Sequence, residues 1–153
     1  MQANGKVGVL IADDHPDVAN ALTALLLAQS DFVPLGAVAT ARDLFEAVEA
    51  THPEIVMVDW ELPGFDPRQA VAALREHGNG PQIVAMSAYL LAARAALAAG
   101  ADVFISKTDP PDSVLAILRR LRGVPPSTGA PAPGERPNGA RPIFPRRPGQ
   151  ANT

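Results

Sequence analysis

The stretch IVMVDWELPGF runs from Ile55 to Phe65. Four apolar residues, three of them β-branched, lead to Asp59, and Pro63 and Gly64 then turn the chain. A short run that is apolar on both faces predicts a strand buried between two layers. A carboxylate at the end of such a strand is costly to desolvate unless a cation or donor meets it.

The flanking sequence repeats the pattern. KVGVLIADD predicts a first strand ending in Asp13 and Asp14, FVPLGAVAT a weaker second one, PQIVAMS a fourth and ADVFIS a fifth. Pro34 in the second run lacks an amide donor, which suits an edge strand. Helices alternate with these strands. PDVANALTALLLAQS sets Val18, Leu22, Leu25 and Leu26 at helical spacing. TARDLFEAVEATHP opens on Thr40 as N-cap, with Asp43 in the capping-box position. RQAVAALREHG follows Asp66 and Pro67 as N-cap and first-turn residues. AYLLAARAALAAG predicts a helix closed by Gly100, and PPDSVLAILRRLRG ends on arginines that suit the helix dipole.

Five doubly apolar strands alternating with five helices predict an α/β fold, a doubly wound parallel sheet covered on both faces. Ligands on such sheets bind beyond the carboxyl ends of the strands. Those ends carry Asp13 and Asp14, then Asp59, then Ser87, with Lys107 just past the fifth strand. Clustered carboxylates need a cation, and all-oxygen donors suit Mg²⁺. With the charge so neutralised, one carboxylate can attack phosphorus to give an acyl phosphate, while the lysine and the hydroxyl bind phosphoryl oxygens.

Composition narrows the class. The 153 residues are 47% hydrophobic and only 5% aromatic, so the core is aliphatic. A formal net charge of −3 argues against nucleic acid as the main partner, and the lack of cysteine excludes disulfides and thiolate metal sites. The start MQANGKVGVLIADD lacks the pattern of a signal peptide, and the most apolar region carries Arg94 and Asp102, so a cytoplasmic protein without a membrane partner is expected. Residues 1–123 are expected to form the domain. Residues 124–153, with 8 prolines and 4 glycines and a net charge of +3, are expected to be a disordered tail.

LIADDHP, IVMVDWELPG, IVAMSA and AGADVFISK, in this order over Lys6–Gly123, resemble the receiver domain of two-component response regulators. DDHP and a Lys107 followed by Thr108 rather than proline resemble its NarL/LuxR branch. The resemblance implies a flavodoxin-like sheet of order 2-1-3-4-5. It implies a signalling domain rather than an enzyme, whose Asp59 accepts a phosphoryl group from a sensor histidine kinase or a phosphotransfer protein. Asp14 and Asp59 would bind Mg²⁺ through side chains, Asp13 largely through water, and Glu61 through its backbone carbonyl. Ser87 matches the switch hydroxyl, Ala88 the small residue giving phosphoryl access, Lys107 the phosphoryl-pairing lysine and Phe104 the switch aromatic, which is expected to turn inward when Ser87 moves. Glu61 and Tyr89 occupy positions that tune phosphoryl lifetime, and Tyr89 is bulky enough to shield the acyl phosphate. His15 is expected to lie near the site without being essential. The output partner, unidentified, is expected on the face of the fourth helix, fifth strand and fifth helix. Homodimerisation stays open, and DNA binding is not carried over, since no helix-turn-helix follows. Two other readings compete: a phosphatase of haloacid dehalogenase type, which would need Asp-x-Asp after the first strand, and a receiver-like scaffold that works without phosphorylation.

Overall fold

The computed structural model describes residues 5–76 and 80–122. Five strands, β1 (Val7–Ala12), β2 (Phe32–Val38), β3 (Ile55–Asp59), β4 (Gln82–Ser87) and β5 (Val103–Ser106), pair in parallel in the order β2-β1-β3-β4-β5. Four helices connect them, α1 (Pro16–Leu27), α2 (Ala41–Thr51), α3 (Pro67–Glu76) and α4 (Ala92–Ala98), and α5 (Pro111–Leu121) follows β5. The fold class and strand order expected from the sequence are both present.

Strands β1, β3 and β4 are buried along their whole length, as their doubly apolar sequences require. Alternate side chains feed two cores. Leu10, Val56, Val58, Ile83 and Phe104 pack with residues of α2 and α3, including Leu44 and Leu74. Val9, Ile11, Met57, Val84 and Ile105 pack with Leu26 of α1 and Leu118 of α5. Each fully buried aliphatic side chain contributes roughly 1.5–3 kcal/mol of burial free energy.

The edge strand β2 explains its own irregularity. Register slips between Val9 and Leu10, which face Pro34 and Gly36, so Leu35 is left over as a bulge. Pro34 donates no ladder bond, and an edge tolerates that loss.

Thr40 caps α2 by accepting the Asp43 amide at 3.1 Å, and Asp66 accepts the Arg68 amide at 3.1 Å at the start of α3. Helix α4 departs from expectation. It begins at Ala92, and Tyr89, Leu90 and Leu91 form a turn before it. The buried Ser87 hydroxyl accepts the Tyr89 amide at 3.0 Å, which holds the chain in a side-chain turn where composition alone favours helix. Gly100 then closes α4 with φ +107, in the left-handed region open to glycine. The expected tail at 124–153 lies outside the described residues. Among the described residues, no helix is long and apolar enough to cross a membrane.

Candidate functional site

Strand pairing delivers the site residues to one edge of the sheet. Ala12 lies level with Val58, so the next residues, Asp13 and Asp59, emerge side by side. Ser87 pairs with Ser106, and the Lys107 amide donates to the Ser87 carbonyl at 3.0 Å, which sets Lys107 at the end of β5 beside β4. Asp13, Asp59 and Ser87 are buried, whereas Asp14 is exposed.

Lys107 bridges the two buried acids. Its Nζ lies 2.8 Å from Asp13 Oδ2 and 3.1 Å from Asp59 Oδ2. Burial works against the ammonium charge, but the two carboxylates outweigh it and raise the lysine above its ordinary value. Lys107 is therefore a fixed cation at neutral pH. Both Oδ2 atoms are buried, and the lysine ammonium is the group set against each of them. The other Asp59 oxygen, Oδ1, accepts the Glu61 amide at 3.0 Å, which fixes the carboxylate plane. The loop behind Lys107 is held without proline. Thr108 donates its amide to Ser106 Oγ at 3.2 Å, and the Ser106 amide donates to Asp109 at 3.0 Å.

Two side chains make contacts beyond those expected of them. His15 Nδ1 stands 2.9 Å from Asp13 Oδ1, 3.2 Å from Asp14 Oδ1 and 3.6 Å from Asp59 Oδ2. The hydrogen bond to Asp13 raises the imidazole above its ordinary value, with Lys107 opposing. Glu61, expected to contribute its backbone carbonyl, also reaches back with its carboxylate to accept the Ser87 hydroxyl. His15 Nδ1 also stands 3.3 Å from Lys107 Nζ, and that contact and the one from Glu61 to Ser87 join residues far apart in sequence, whereas His15 and Asp13 are near neighbours in the chain.

Phe104, the expected switch aromatic, lies inside, 1% exposed, in the core between the sheet and α3 and α4. A phenyl ring has no hydroxyl to keep wet, so the interior is its stable place. Ala88 and Tyr89 are exposed, and Tyr89 is 68% so. Trp60 packs edge-on against Phe65 at 5.3 Å, beside the acids but outside them.

Asp13, Asp14, His15 and Asp59 each offer one donor atom, all within 4.8 Å of one another. Carboxylate oxygens that lack an aligned donor, at such separations, fit a divalent cation. The family model of the response regulator receiver domain matches residues 9–119, which span this order 2-1-3-4-5 sheet. The chain belongs to the response regulator receiver family. This receiver is 29% identical to the transcriptional activator protein ExaE of Pseudomonas putida over 117 residues, 75% of this chain and 55% of that one. It is 31% identical to the probable transcriptional regulatory protein SgaR of Hyphomicrobium methylovorum over 123 residues, 77% of this chain and 57% of that one. The receiver thus spans a little over half the length of these curated relatives. Among solved structures it superposes on the signal receiver domain of NarL from Mycobacterium tuberculosis with a TM-score of 0.69 and 26% identity, covering 78% of this chain and 98% of that one.

Proposed function

We propose that this receiver takes a phosphoryl group on Asp59 from the phosphohistidine of a sensor kinase or phosphotransfer protein, in a Mg²⁺-dependent reaction. The carrying observation is Asp59 Oδ2: buried, without an aligned hydrogen bond, and 3.1 Å from a fixed ammonium. In the transfer the phosphorus–nitrogen bond of the donor breaks as a bond from phosphorus to an Asp59 carboxylate oxygen forms. The electron pair of the broken bond returns to the imidazole. Lys107 sits where it can neutralise a phosphoryl oxygen, and the Glu61 amide holds Asp59 in line.

Asp13, Asp14 and Asp59, with the Glu61 carbonyl, are the residues that would hold Mg²⁺. Bound there, the ion supplies charge that offsets repulsion between carboxylate and phosphoryl oxygens. Ser87 would exchange Glu61 for a phosphoryl oxygen and thereby couple the site to the turn at Tyr89 and the face of α4, β5 and α5. A group on Asp59 shifts that equilibrium only through contacts made better in one state, and Ser87 and Lys107 supply them. The phosphatase reading is not favoured, because the β1 acids are adjacent and the candidate nucleophile follows β3. Retention of Asp13, Asp14, Asp59, Ser87 and Lys107 argues against a phosphorylation-independent scaffold. Labelling by acetyl phosphate, with and without Mg²⁺, tests the proposal: it should need both the ion and Asp59.

A further inference from the structure

We infer that His15 is a protein ligand of the cation site and tilts its preference from Mg²⁺ toward borderline transition ions, with Zn²⁺ as the test case. The inference rests on the reading that Asp13, Asp14 and Asp59 hold a divalent cation.

Geometry comes first. An ion binding nitrogen and oxygen donors at about 2.0–2.2 Å places neighbouring donors about 3 Å apart. His15 Nδ1 lies 2.9, 3.2 and 3.6 Å from one oxygen each of Asp13, Asp14 and Asp59, so it already stands at a neighbouring-ligand distance from all three acids. The Asp59 oxygen that faces the ring, Oδ2, is buried and makes no hydrogen bond beyond its contact with the Lys107 ammonium, which stands 3.1 Å from it and 3.3 Å from His15 Nδ1.

The backbone delivers the ring there. His15 occupies the N-cap position of α1, yet its side chain makes no capping bond. Its own amide donates to Asp13 Oδ1 at 2.8 Å, and Pro16 follows, so the residue is tied on both sides with its ring turned toward the acids. A cap residue that caps nothing and instead faces three carboxylates has the placement of a ligand.

Donor chemistry supplies the direction. Carboxylate and carbonyl oxygens suit Mg²⁺ and Mn²⁺, whereas imidazole nitrogen suits zinc, nickel and copper. Adding one nitrogen to an oxygen set therefore strengthens Zn²⁺ far more than Mg²⁺, which keeps water in its shell readily. The ring is 62% exposed, so its loss leaves the buried oxygens in place.

The experiment is calorimetric titration of the full chain with Mg²⁺ and, separately, with Zn²⁺, at one pH and ionic strength, for the wild type, His15→Ala and His15→Asn. Zn²⁺ affinity should fall by roughly tenfold or more in both variants while Mg²⁺ affinity changes by less than about threefold. Nitrogen-15 spectra of the histidine rings localise the effect: Zn²⁺ should shift Nδ1 of His15 in the wild type. Equal losses for the two ions, unchanged Zn²⁺ affinity, or a His15 ring that ignores Zn²⁺ would overturn the inference while leaving Mg²⁺ binding intact. Failure of the wild type to bind either ion would instead overturn the cation site on which it rests.

Discussion

The Glu61 carboxylate accepts the hydroxyl of Ser87, so the residue two past the candidate phosphoacceptor holds the candidate switch residue. On the proposed switch, that contact would break as Ser87 turns to a phosphoryl oxygen, so Glu61 would oppose the activated state. Removing its carboxylate in Glu61→Ala should tighten beryllofluoride binding by roughly three- to tenfold, the range expected for the net contribution of one hydrogen bond. Trp60 fluorescence during titration provides the reading. Unchanged or weaker binding would show that the Glu61 contact does not restrain the switch.

Ser87 also holds the Tyr89 amide. Ser87→Ala should leave phosphorylation of Asp59 in place and diminish the response beyond it. Amide shifts across α4, β5 and α5 on beryllofluoride addition should be smaller than in the wild type. Shifts of equal size in both proteins would count against Ser87 as the coupling residue.

Lys107 is the positive charge set between Asp13 and Asp59. Truncating it in Lys107→Ala leaves two buried carboxylates uncompensated, which should cost on the order of 2–3 kcal/mol in urea unfolding without divalent cation. Mg²⁺ should restore more stability to this variant than it adds to the wild type, since the ion then replaces the missing charge as well as binding its own site. An equal gain in both proteins would contradict that account of the buried charge.

Much of this was legible in the sequence. The strand runs stand out because both faces are apolar, and Asp13, Asp14, Asp59, Ser87 and Lys107 stand out because a parallel sheet brings the carboxyl ends of its strands to one edge. What escaped depends on side-chain direction and on contacts distant in sequence. His15 was expected near the site, but nothing local announces its approach to Lys107 or sends the Glu61 carboxylate to Ser87. The start of α4 was overread because alanine and leucine favour helix, while a single buried hydroxyl diverts Tyr89.

On the opposite edge of the sheet, Arg119 of α5 donates to Asp31 at 2.9 Å. That hydrogen bond holds the Asp31 carboxyl below its ordinary value of 3.8. A group lowered by folding stabilises the native state above its unfolded value and loses that contribution as pH falls through the folded one. Thermal stability should therefore carry a component that is constant near neutrality and disappears on acidification below about pH 4. Asp31→Asn should lower Tm by roughly 1–5 °C at pH 7 and approach the wild type in acid. A difference that persists or grows in acid would contradict the ion pair.

The central claim is that Asp59 receives the phosphoryl group. Intact-mass measurement after incubation with acetyl phosphate and Mg²⁺, followed by borohydride reduction of the acyl phosphate and peptide mapping, tests it directly. The account predicts a single phosphoryl addition in the wild type, reduction at Asp59, and neither in Asp59→Asn nor in the presence of a chelator. Addition at another residue, or undiminished addition to Asp59→Asn, would contradict it.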